Sequence, residues 1–100
     1  MRQVPGDELG ASNPTSATVG VVSALILQPK YQRKSVHFVN DSANIIYLSK
    51  GRPAVVGSGQ MLTPNGGQYW EPDASGRVWQ LDWHAISLVP ASNLCITEDW

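Results

Sequence analysis

The side chains able to do chemistry are few and scattered along the 100 residues. The two histidines, His37 and His84, have no second His or Cys two to five residues away, so neither belongs to a metal-binding spacing. Asp82 stands two residues before His84, but on a strand this makes only a weak pair, and both histidines are expected at the surface or rim. Cys95 is the single cysteine, which excludes an internal disulfide and a cysteine-based zinc cluster. No cation flanks it in sequence to lower its pKa, so a half-buried filler is expected rather than a nucleophile. Gly57-Ser58-Gly59 lacks the Gly-x-Ser-x-Gly elbow of a serine hydrolase. Glu71 and Asp73 are too close in sequence to say anything about a pair of carboxylates across a cleft. There is no glycine-rich phosphate loop. No catalytic, metal-binding or cofactor-binding residue is therefore expected, and no enzyme.

The aromatic residues say more. Trp70, Trp79, Trp83 and Trp100 fall in the C-terminal third, with Tyr69 beside the first. Trp79 fits an inward position. Tryptophan supplies a large apolar area and one donor, and it is enriched in protein interfaces. One or two of the four are expected in the core and the others at a subunit contact. Tyr69, Trp70 and Trp83 could alternatively form a platform for sugars. Trp100, at the end of the sequence, is expected to dock against a neighbour or its own domain. Lys30, Arg33 and Lys34 form a small basic loop that would weakly attract an acidic partner surface. Asn40-Asp41-Ser42 has the form of a glycosylation sequon and reads as a turn.

These residues need elements to position them. The length is that of one domain, able to fold alone with little to spare. Hydrophobic residues at 42% argue against wholesale disorder. Charged residues at 15%, against a usual quarter, suggest that part of the surface is covered by another protein. The net charge of −1 argues against nucleic-acid binding through phosphates. No apolar run is long enough to cross a membrane as a helix, and no apolar core follows Met1 to Pro5 as in a secretory signal.

Residues 1–16 have no periodicity and read as an extended arm; residues 17–100 read as the folded domain. Ala17 to Leu27 is β-branched and reads as one strand or as two bent at Gly20. Strands follow at 35–39 and 44–49, read as a hairpin turned by Asn40-Asp41-Ser42, then at 60–63 and 68–71. Between the last two, Pro64-Asn65-Gly66-Gly67 has the positive-φ chemistry of a tight turn. Residues 77–81 alternate strictly, and strands at 85–89 and 94–98 complete the series, with Leu94 and Ile96 facing in. Seven or eight short strands with regular turn signals predict an all-β fold: a small antiparallel β-sandwich, jelly-roll-like, or a barrel. The strand order is left open.

Arg33 to Ser42, Ile46-Tyr47-Leu48, Gly51 with Pro53-Ala54, Ser58 to Leu62, Gly66 to Glu71, Ala85-Ile86-Ser87 and Asn93 to Glu98 together resemble a recurrent pattern. It is that of small β-rich virion proteins of tailed bacteriophages, such as capsid decoration (cement) proteins or neck and tail accessories. The resemblance covers about three-quarters of the chain and carries no catalytic residues. It implies a structural role in the virion, assembled in the bacterial cytoplasm. The implied partners are the major capsid protein or other virion subunits, and further copies of the chain, plausibly as a trimer. Neither nucleic acid nor membrane is an expected partner. The residues expected at partner contacts are Val4 and Leu9 of the arm, Lys30, Arg33 and Lys34 of the basic loop, and Trp70, Trp83 and Trp100. The alternatives are a neck, tail or fibre component, or a carbohydrate-binding adhesion module.

Overall fold

The computed structural model describes residues 11–72 and 74–100. Its strands are β1 (Ser12–Val19), β2 (Ala24–Leu27), β3 (Ser35–Asn40), β4 (Ile46–Lys50), β5 (Gln60–Leu62), β6 (Gln68–Glu71), β7 (Trp83–Ser87) and β8 (Ser92–Asp99). They form two antiparallel sheets of four, ordered β1-β8-β3-β6 and β2-β7-β4-β5. Successive strands change sheet at every step except from β4 to β5. That order is the jelly roll, one of the ways an eight-stranded sandwich limits its open edges.

The alternation rule explains which side chains meet between the sheets. On β8, Leu94 and Ile96 are buried while Cys95 and Thr97 are only partly covered, as the sequence pattern requires. Val36 and Phe38 of β3 face them within the first sheet's inner surface, and Ile46, Leu48, Leu62, Trp83 and Ala85 supply the second. The Phe38 and Trp83 rings join the two layers at 4.8 Å between centroids. Each fully buried side chain of this size contributes about 1.5–3 kcal/mol from apolar burial.

Three expectations about connections are corrected. Strands β3 and β4 do not form a hairpin, because they lie in opposite sheets. Turn chemistry marks where the chain reverses, not which sheet receives it. The buried Asn40 side chain instead donates to the carbonyls of Asn44, Leu62 and Thr63 and accepts from the Ser42 hydroxyl. It thereby ties the β3–β4 turn to the end of β5. Asn65 and Gly66 have the expected positive φ, 58° and 109°, yet they too join strands of opposite sheets.

The second correction concerns residues 77–81, which form no strand. Their backbone groups find charged or distant partners: the Trp79 and Leu81 carbonyls accept from Arg33, Gln80 accepts from the Lys30 N–H, and the Trp79 N–H donates to Glu71.

The third concerns the arm. Residues 12–16 belong to β1, paired in register from Ser12↔Asp99 to Val19↔Ser92. Ser12 to Ser16 are exposed, so no burial period betrays the strand in the sequence. Ala11 and Trp100 exchange both backbone hydrogen bonds, which sets the alternation. Odd-numbered residues of β1 bond to β8 and even-numbered ones point their backbone groups to the open edge. Pro14 falls on the open side, where its missing N–H removes nothing from the ladder. Residues 1–10, with Val4 and Leu9, lie outside the described residues.

Candidate interaction surfaces

At one end of the sandwich the chain between β2 and β3 meets the chain between β6 and β7, and Arg33 stands at the junction. Its side chain is fully buried. Nε donates to Glu98 Oε2 at 2.8 Å, Nη1 to the carbonyls of Trp79 and Leu81 at 2.8 and 2.9 Å, and Nη2 to that of Gln28 at 2.8 Å. Arg33 was expected at a partner contact in an exposed basic loop. The structure corrects this: its planar fork is spent on one carboxylate and three backbone carbonyls inside its own domain. Its neighbours differ. Lys34 is exposed, while the Lys30 ammonium lies 3.8 Å from the Trp100 ring centroid, a cation–π contact within the chain. Trp100 therefore docks on its own domain, held also by the two backbone bonds to Ala11.

A second polar cluster lies beside the first. The buried Glu71 carboxylate accepts from the Lys50 ammonium, from the Tyr69 hydroxyl at 2.6 Å and from the Trp79 N–H at 2.8 Å. Burial works against its charge, but these three donors outweigh it and hold the carboxyl below its ordinary value. The cluster borders a cavity of about 440 Å³ whose lining includes Ser75, Arg77 and Val78. Trp83, expected at a partner contact, is instead buried under this cluster, 1% exposed, with Lys50 5.4 Å above its ring. Its burial follows from β7 alternation: Trp83, Ala85 and Ser87 face inward together.

Other titratable groups lie nearer the surface. His84 and Asp82 form a closer pair than their spacing suggested, 2.7 Å from Nε2 to Oδ2, and this bond lowers the Asp82 pKa. Cys95 is partly covered on the outer face of its sheet, with the Asn93 amide 3.8 Å from its sulfur. Among the described residues no group of three or more His, Cys, Asp or Glu side chains could hold a metal ion.

Among the described residues, two of the open surfaces carry features suited to binding. The first is apolar and lies at the opposite end from Arg33. Val21 and Val22 stand in the β1–β2 loop and Leu88 and Val89 in the β7–β8 loop, with exposures of 53%, 76%, 50% and 45%. The Ser87 N–H donates to the Gly20 carbonyl at 2.8 Å, which fastens the two loops together. The Ser92 hydroxyl donates to the Val89 carbonyl and holds the second loop in shape. Neither loop carries a charge. Sequence reading missed these residues, because Val21 and Val22 belong to a β-branched run that reads as strand.

The second is the outer face of the β1-β8-β3-β6 sheet, mostly serine, threonine and other small side chains. Trp70 projects there, 55% exposed, beside His37. Of the expected contact residues within the described chain, Lys34 and Trp70 are fully on the surface, Lys30 and Trp100 engage each other, and Arg33 and Trp83 are interior. Comparison of the chain with family models, with curated proteins and with solved structures finds no match.

Proposed function

We propose that this chain is a structural virion protein of a tailed bacteriophage, a decoration (cement) protein that stabilises the capsid by bridging its capsomers. The observation that carries the reading is the uncharged tip formed by Val21, Val22, Leu88 and Val89. Four aliphatic side chains on two fastened loops gain little for the isolated domain and are suited to burial against another protein. The loops are already ordered by their own hydrogen bonds, so docking costs little conformational entropy. Binding to the assembled shell and not to free subunits would stabilise the shell by mass action. Several copies in a symmetric cluster would convert weak contacts into avidity. The low share of charged residues and the resemblance of residues 33–98 to small virion proteins agree with this role. A jelly roll by itself does not, since the fold serves many functions.

The experiment is decoration of empty capsids by Val22→Asp and Leu88→Asp variants, followed by co-sedimentation. Both positions are exposed, so the variants should fold. Loss of co-sedimentation is expected. Decoration equal to the parent protein would overturn the reading, and recruitment to tails but not capsids would place the protein in the neck or tail.

A further inference from the structure

We propose that the outer face of the β1-β8-β3-β6 sheet carries a binding site for a neutral hexose, with Trp70 as its stacking platform. A groove of about 380 Å³ runs between the start of β3 and the end of β6, lined by Ser35, Val36, His37, Trp70, Glu71 and Pro72. Trp70 forms one wall. It sits on a paired strand directly across from His37, not on a loop, so its position is set by the sheet. The His37 ring meets it edge to face at 5.3 Å between centroids, and His37 is held in turn by the Gln68 side-chain oxygen at 2.8 Å. The indole is thus aimed before any ligand arrives, which removes part of the entropic cost of binding.

The polar groups of the groove select the ligand class. The Ser35 hydroxyl donates to Asp99 Oδ2 at 2.6 Å, so a carboxylate stands behind the serine across the β3–β8 pair. The Asp99 pKa is lowered by this bond and by one from Ser12, so the acceptor is ionised at neutral pH. Among the described residues no Lys or Arg lines the groove, and its one lining carboxylate, Glu71, is already paired with Lys50. An anionic ligand, such as a nucleotide, a phosphate or a sialylated or sulfated sugar, would find no cation to pair with. A purely apolar ligand would make no use of the polar rim, where the Ser35 oxygen, its proton given to Asp99, keeps lone pairs that a ligand hydroxyl can use. A neutral pyranose satisfies both surfaces. Its C–H face lies against the negative face of the indole, and its hydroxyls bond to the serine oxygen and the imidazole at the rim. The groove lies at the end of the sandwich opposite the Val22 and Leu88 tip, so both surfaces can be occupied at once. The site does not depend on the virion reading.

The test is isothermal titration of the full chain with neutral oligosaccharides of glucose, galactose, mannose and N-acetylglucosamine, and with a heparin hexasaccharide as charged counter-probe. At least one neutral oligosaccharide should bind, and the heparin fragment should not. Trp70→Ala should weaken binding at least about tenfold, Trp70→Tyr should retain most of it, and Trp100→Ala, outside the groove, should leave it unchanged. Circular dichroism of each variant separates loss of the site from loss of the fold. Absence of binding by every neutral oligosaccharide overturns the proposal. Binding that survives Trp70→Ala in a folded protein, or binding of the heparin fragment alone, does so equally.

Discussion

Arg33 and Glu98 stand 65 residues apart in sequence and 2.8 Å apart in space, both inside the domain. Through this pair the end of β8, the β2–β3 loop and the long β6–β7 connection are fastened at one point. Removing one partner of a buried pair leaves the other charge without compensation. Arg33→Met should therefore cost about 3–5 kcal/mol, a large share of the 5–15 kcal/mol typical of a domain. Arg33→Met combined with Glu98→Leu should recover part of that loss. Thermal unfolding checks both, since each kcal/mol moves the midpoint by roughly 4–8 °C at this size.

Glu71 makes stability depend on pH in a known direction. Its folded pKa lies below the ordinary 4.5, so its contribution is complete above that value and is lost as pH falls through the folded pKa. Asp82 and Asp99 are shifted the same way, so the wild-type acid limb is a composite. Glu71→Gln isolates one member. The variant should be less stable than wild type at neutral pH, and the difference should shrink as pH falls below 4.5. Urea unfolding across that range measures it, and a difference that stays constant would contradict the assignment.

Trp83 and Trp70 should respond oppositely to truncation. Trp83→Ala empties the space between Phe38 and Tyr69 and should cost about 3–5 kcal/mol. Trp70→Ala removes an exposed ring with one aromatic neighbour and should cost about 1 kcal/mol or less. Chemical denaturation of the two variants side by side decides this.

The boundary at β1 can be tested by truncation. Deleting residues 1–10 touches none of the β1–β8 pairs. Deleting residues 1–16 removes five of the eight, Ser12↔Asp99 through Ser16↔Cys95, and uncovers the edge of β8. The longer deletion should lower the unfolding midpoint below that of the shorter one and promote self-association through the open edge, as measured by analytical ultracentrifugation.

What was legible in the sequence was local. Alternation at Leu94 and Ile96 and the Asn65-Gly66 turn chemistry were enough for an all-β sandwich. Long-range features were hidden. Trp79 to Leu81 alternates like a strand, but the donor that captures its carbonyls is Arg33, nearly half the chain away. Arg33 itself reads as a surface cation because most of its acceptors lie on two distant segments, β8 and the β6–β7 connection. Ser12 to Ser16 reads as an arm because an edge strand exposed on both faces has no burial period. The groove was half visible. Trp70 stood out by type, whereas its neighbours His37, Ser35 and Asp99 are joined to it only by the register of β6, β3 and β8.

Mass photometry of the purified protein, alone and mixed with empty phage capsids, tests the proposed assembly on a capsid most directly. A defined oligomer that adds a saturable mass to the capsids is the expected result. A protein that leaves the capsid mass unchanged at every concentration would contradict the account.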